Sequence, residues 1–429
     1  MTIAILLLGF FTLLFMGVPV AFCVGLAALG AVVSAGIPVF VIFQRMFGGV
    51  DSFTLLAIPF FIFMGNIMDT GGIARRIVGF ANIIIGQIRG GLAAVNVLAS
   101  MFFAGISGSA VADTSSIGAM LIPMMYEEGY DKSFTVAITC TSSTIGLIIP
   151  PSNTMILYSF VAGGVSIADL FAAGVVPGVL VGIGLIVVGF VISVKRGYPR
   201  HPRPSLPEAL RITREALLSL VIVAVIVGGI LGGICTATEA AVFGVVYALA
   251  LTIFVYKELK LKDLPRVMLN TVYTTAIVVF LIGTSTAFSY VMTAERVPVA
   301  ISEFLMSLTQ NKYVLLLLIN VMLLIVGMIM DMSPAVLIFT PILLPIAMRL
   351  GMSNVQFGIM ILVNLCIGCV TPPVGGVLFV GLGIGKITIP QVIKPLLLFI
   401  LPMFIVVLLV TYFEPVTMVL PKLLFNRGG

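Results

Sequence analysis

Charge is what this chain has least of. Only 9% of its 429 residues are Asp, Glu, Lys or Arg, against 61% hydrophobic, which excludes a water-soluble core and leaves no room for a soluble domain. There is a single histidine, His201, set among arginines and prolines as a solvated loop residue. The five cysteines lie inside apolar stretches and read as small hydrophobes, not as a disulfide framework. Cys366 and Cys369 have the spacing of a metal or redox pair but no second pair to complete it. A nucleotide loop is missing too: the run ending in Gly385-Lys386 has Val380 where the first glycine of a Walker motif belongs. The formal charge of +6 sits between apolar runs, where it records topology and does not point to nucleic acid.

What remains is a succession of apolar runs near the ~20 residues that a spanning helix needs. The expected fold is an all-α polytopic membrane protein surrounded by lipid. Residues 3–16 and 18–35 form a first helical pair broken at Gly17-Val18-Pro19, too continuous and without the cleavage pattern of a signal peptide. Residues 38–50, with Gln44 and Arg45, read as an interfacial helix. The one extended polar linker, 195–214, is rich in arginine and proline and is expected in the cytoplasm by the positive-inside rule.

Residues 105–153 return as 327–375, shifted by 222 positions. Gly105 falls on Gly327, Pro123 on Pro345, Gly129 on Gly351, Gly146 on Gly368, and Pro150-Pro151 on Pro372-Pro373. Shared glycine and proline spacing implies shared backbone shape. Each copy reads as two short apolar arms, 92–103 and 117–125 in the first, closing into a re-entrant hairpin with its tip at 105–113. A helix broken at its Pro-Pro pair follows, and paired breaks of this kind point to a transporter binding site. The loop at 257–266 is basic, whereas its equivalent at 38–52 holds only Arg45. The repeats are therefore expected to be inverted, with the N-terminus in the periplasm. This divides the chain into a first repeat (1–169), a connecting helix and linker (170–216), a second repeat (217–391) and a C-terminal helix (392–429).

The first tip, Gly105-Ile106-Ser107-Gly108-Ser109, and the break holding Thr144, Gly146, Ser152, Asn153 and Thr154 put carbonyls and hydroxyls at membrane depth. Irregular backbone there has to line a cavity or be buried in protein. The second copy offers Gly327, Asp331 and Ser333 at its tip and Gly368, Thr371, Pro373 and Gly375 at its break. Such oxygen sets suit a hard cation such as sodium and give two pseudo-symmetric sites; close helix packing by small residues is the alternative. Asp113, Glu239 and Asp331 are acids in apolar surroundings, where a charge persists only if paired or wet. Capping of the returning arm is the other role open to Asp113 and Asp331, and interhelical hydrogen bonding the other role open to Glu239. Arg296 is a candidate for binding a substrate carboxylate.

Five stretches carry a resemblance: Ile58-Pro59-Phe60-Phe61-Ile62-Phe63-Met64-Gly65, the first tip, Thr144 through Pro150-Pro151-Ser152, Thr238-Glu239-Ala240-Ala241 and Thr371-Pro372-Pro373. Together they resemble the large membrane subunit of tripartite ATP-independent periplasmic (TRAP) transporters over essentially the full chain. The resemblance implies an elevator-type secondary transporter of the bacterial inner membrane that imports an organic acid, of the sialic acid or C4-dicarboxylate class, by symport with sodium. It implies a periplasmic substrate-binding protein and a small four-helix membrane subunit as partners, the latter expected as a separate chain. It puts sodium ligands at Gly105, Ser107, Gly146, Ile149 and Ser152, and at Gly327, Gly368, Thr371 and Val374. The residues left for substrate contact or coupling are Ser109, Asp113, Asn153, Thr154, Glu239, Arg296, Asp331, Ser333 and Pro373. Within transport the alternative is a sodium/anion symporter of related architecture that needs no binding protein. Outside it, two intramembrane aspartates suggest an aspartyl protease, but neither lies in a Gly-x-Gly-Asp context.

Overall fold

A helix satisfies its own backbone polar groups, which is what a bilayer demands of any segment that faces lipid. The computed structural model describes residues 2–200 and 205–425, and every regular element among them is helical. His201 and Arg203 lie outside the described residues. The chain begins with α1 (Thr2–Phe15), α2 (Val20–Ser34), α3 (Phe40–Val50), α4 (Ala57–Thr70) and α5 (Ile73–Ile85). Next come α6 (Gly91–Ser107), α7 (Ala110–Glu127), α8 (Lys132–Ser143), α9 (Asn153–Val161) and the long α10 (Ile167–Arg196). After the linker follow α11 (Leu206–Leu231), α12 (Ala237–Ala250), α13 (Leu264–Ala294) and α14 (Val297–Leu308). The chain closes with α15 (Lys312–Ile329), α16 (Met332–Arg349), α17 (Asn354–Cys369), α18 (Gly376–Gly385), α19 (Ile389–Tyr412) and α20 (Pro415–Phe425).

Among the described residues, eight segments are long and apolar enough to cross a membrane, and the chain is a multi-pass membrane protein. Helices α6 to α9 are not among the eight, whereas α16 is. Of the expected first pair, α1 matches the length of its apolar run with 14 residues, while α2, with 15, starts only at Val20 behind Pro19. Two further expectations need correction. The linker is shorter, because α11 starts at Leu206, behind Ser205 and with Pro207 in its first turn. Its first turns carry Glu208, Arg211 and Arg214, so hydropathy reads them as loop. The C-terminal segment is two helices, not one, because Pro415 disfavours the helical conformation of the residue before it.

Helix boundaries repeat at the same offset as the punctuation. Shifted by 222, the bounds of α7 fall on those of α16, and the starts of α8 and α10 fall on those of α17 and α19. The Pro150–Pro151 and Pro372–Pro373 bonds are both cis. The copies are interlaced: α9 packs on α16, while α18 packs on α7 and α8. Tyr126 Oη on α7 donates to the Gly385 carbonyl at the end of α18 at 2.9 Å, and Cys366 Sγ donates to the Thr144 carbonyl at 3.4 Å. Around this body, α2 and α3 pack on α13, and α4 packs on both α12 and α13. Where the surroundings are as apolar as the side chains, such contacts rest on shape and on polar links. Phe134 supplies the first kind, with the rings of Tyr198 and Phe399 at 5.3 and 5.5 Å. Asp131 supplies the second, accepting hydrogen bonds from Tyr198 Oη at 2.6 Å and from Arg196.

Candidate functional site

The first tip is tighter than its sequence suggests. Helix α6 continues to Ser107, Gly108 takes a left-handed φ of 56°, and Ser109 caps α7 by accepting from the Ala112 N–H at 3.4 Å. Only Gly108 and Ser109 lie between the helices, not the expected 105–113. Gly108 ends α6 because an L side chain rarely adopts that φ, and Ser109 satisfies a free amide at the start of α7. Asp113 is consequently not the cap. It lies inside the first turn of α7, fully buried, and neither carboxylate oxygen has a hydrogen-bond partner.

The break after α8 meets this tip. A short 3-10 turn over Thr144–Leu147 leads to the Pro-Pro pair. Ser152 Oγ donates to the Leu147 carbonyl at 2.9 Å and pairs with Thr154 Oγ1 at 2.8 Å. A Cβ added to Gly105 would stand 3.2 Å from the Pro150 oxygen, and one added to Gly108 would stand 3.2 Å from the Pro151 oxygen. The second copy is built alike. The Val374 N–H donates to the Met328 carbonyl at 3.1 Å, and Gly368 lies directly against Gly327. A Cβ on Gly375 would lie 3.0 Å from the Thr371 oxygen and 3.3 Å from the Cys369 oxygen. Each break thus presents carbonyl oxygens across a gap that a side chain would fill, a donor set that fits a hard cation such as sodium. Asp331 is the N-cap residue of α16 but makes no side-chain capping bond.

Both tips face one cavity of about 620 Å³. Of the expected site residues, Ser107, Ser109, Asn153, Thr154, Asp331 and Ser333 line it. Gly105, Gly146, Ile149, Ser152, Gly327, Gly368, Thr371, Pro373 and Val374 are not in its wall; they belong to the tips and breaks next to it. The starts of α7, α9 and α16 all reach this wall, so three sets of free amides and three positive helix ends are available to an anion. Asp113 does not line the cavity, so it does not join Asp331 there as a protease pair would.

Two expected residues are elsewhere. Glu239 is exposed at the start of α12 and closes a capping box: its Oε2 accepts from the Thr236 N–H at 2.8 Å, and Thr236 Oγ1 accepts from the Glu239 N–H at 3.3 Å. It is not an interhelical partner, and the Thr-x-x-Glu spacing was the signal for that. Arg296 is exposed as the N-cap residue of α14, outside the cavity wall. Asn66 and Asp69 on α4 do line the cavity and were missed. Asn66 Nδ2 donates to Thr271 Oγ1 at 2.9 Å, and Asp69 accepts from Ser116 on α7. Their signal is helical spacing: Ile58, Ile62, Asn66 and Asp69 recur every three or four residues on one face.

Residues 7–416 match the family model described as "Tripartite ATP-independent periplasmic transporter, DctM component". The chain is 46% identical to "Uncharacterized protein YgiK" of Salmonella typhimurium, over 98% of this chain and 97% of that one. It is 38% identical to the "Sialic acid TRAP transporter large permease protein SiaM" of Vibrio cholerae, over 98% of each. In fold it is similar to the crystal structure of the Alcanivorax borkumensis YdaH transporter, with a TM-score of 0.59 over 90% of this chain and 88% of that one, at 16% identity.

Proposed function

Since the chain belongs to the DctM component family of tripartite ATP-independent periplasmic transporters, as their large membrane subunit, we propose that it imports an organic acid by symport with sodium. It is a transporter subunit and not an enzyme. The observation that carries the reading is the convergence of two hairpin tips and two helix breaks on one cavity. Free amides at the starts of α7, α9 and α16, together with Asn66 and the tip hydroxyls, would bind the carboxylate of a sialic acid or C4-dicarboxylate. Sodium is cargo in this scheme, held by the carbonyls of Gly105, Gly146 and Ile149 with Ser107 and Ser152, and by those of Gly327, Gly368, Thr371 and Val374.

The rest of the reading follows from the two-copy plan. Helices α6 to α9 and α15 to α18 would move as one body against α2, α4 and α13, an elevator that carries the cavity across the inner membrane. The copies are inverted, the N-terminus is periplasmic, and the segment 195–214 is cytoplasmic. A periplasmic binding protein delivers the acid, and a small four-helix subunit braces the static helices. Uptake of a labelled acid into proteoliposomes, with both partners present, tests this. Concentrative uptake is expected only with sodium and binding protein together. Unchanged uptake in choline removes the sodium step, and unchanged uptake without the binding protein favours the simpler symporter.

A further inference from the structure

We propose that Asp113 is the anionic ligand of an additional sodium position, inside the first hairpin and separate from the two at the tips. The inference rests on the sodium-coupled reading above. Asp113 is fully buried between α6, α7 and α8, and both its oxygens lack a partner. Its polar neighbours are Ser100 on α6 and Ser143 on α8. Both hydroxyls also have a partner elsewhere: Ser100 donates to Ser142 Oγ at 3.3 Å and Ser143 to the Thr139 carbonyl at 2.8 Å. Each therefore has its oxygen beside Asp113 and a second partner on its own side. A buried carboxylate beside two hydroxyl oxygens is a donor set that suits a hard cation. A cation between the three side chains would engage both carboxylate oxygens.

The repeat provides an independent control. Shifted by 222, Asp113 becomes Ala335, Ser100 becomes Met322 and Ser143 becomes Leu365. The helices at those positions, α16, α15 and α17, form the same hairpin and break with apolar residues at these three places. The fold therefore has no need of a buried carboxylate at this position, and its presence in one copy calls for a ligand. A site in one repeat only also gives the two halves unequal sodium loads.

The test is equilibrium binding of radioactive sodium to the full chain purified in detergent with any subunit that accompanies it. Asp113→Asn keeps the shape and removes the charge, and it is expected to bind one sodium fewer per chain with the remaining sites unchanged. The double variant Ser100→Ala, Ser143→Ala keeps the charge and is expected to weaken one class of site on the order of tenfold. It also decides the matter should Asp113→Asn not yield a monodisperse protein. Wild-type stoichiometry and affinity in the variants overturn the site, including the case in which a proton neutralises Asp113. Failure of the underlying reading looks different, because then the wild-type chain itself binds no sodium.

Discussion

Gly368→Ala puts the meeting of the second tip and break under the most direct strain. An ideal Cβ at Gly368 would stand 2.4 Å from the Cα and carbonyl carbon of Gly327 and 2.7 Å from its oxygen. Ordinary contact starts at 3.4 Å, so the α15 backbone has to retreat by about 1 Å, and overpacking against backbone costs about 1–3 kcal/mol. Alanine is the better helix former by about 1 kcal/mol, which leaves a net loss of up to roughly 2 kcal/mol. Gly383 in α18 is the matched control, with nothing within 4 Å of its Cβ. Gly383→Ala therefore keeps the helix gain without the clash. Apparent unfolding midpoints followed by circular dichroism at one scan rate should fall for Gly368→Ala and hold or rise for Gly383→Ala. Protection by sodium against heat should weaken in the first and persist in the second. A Gly368→Ala protein with wild-type midpoint and wild-type sodium response would refute the reasoning.

Two further outcomes can be checked. With Cys235 replaced by Ser, Ser52→Cys and Lys260→Cys should react with a membrane-impermeant thiol reagent from opposite faces of sealed vesicles, and reaction from one face only ends the inverted arrangement. Tyr198 first, and then Arg196, hold the Asp131 carboxyl below the usual carboxylate range. A depressed carboxyl stabilises the fold above its unfolded pKa, near 3.9, and loses that contribution as the pH falls through its lower folded value. The midpoint difference between wild type and Asp131→Asn should stay constant from about pH 5 to 8 and shrink only below about pH 4. Shrinkage already at pH 6 would contradict this assignment.

The repeat was legible because glycine and proline act on their own backbone: Gly146, Gly368 and the two Pro-Pro pairs mark the same breaks in both the sequence and the helices. Long-range relations were less legible. Nothing near Asp113 in the sequence announces that Ser100 and Ser143 face it, since α6 and α8 bring them there. The tip was read too long because Ser and Gly are weak helix formers, yet α6 runs through Gly105 and Ser107 where packing against the break outweighs propensity. Glu239 was misplaced by weighing its charge above its spacing, and Asn66 and Asp69 were passed over at the end of an apolar run. In each case the stripe or box was present in the residues and lost to a cruder signal.

The interlacing of the two copies also sets a timetable. Tyr126 and the carbonyl it donates to are 259 residues apart. At about 5–20 residues per second of synthesis, roughly 13–50 s separate them as the chain emerges. During that interval α7 and α8 are in the membrane without α18, and the carboxylate of Asp113 has already been made. The first hairpin is thus synthesised well before the helix that encloses it. A chain that stops before residue 376 would leave it open, a ready substrate for membrane quality control.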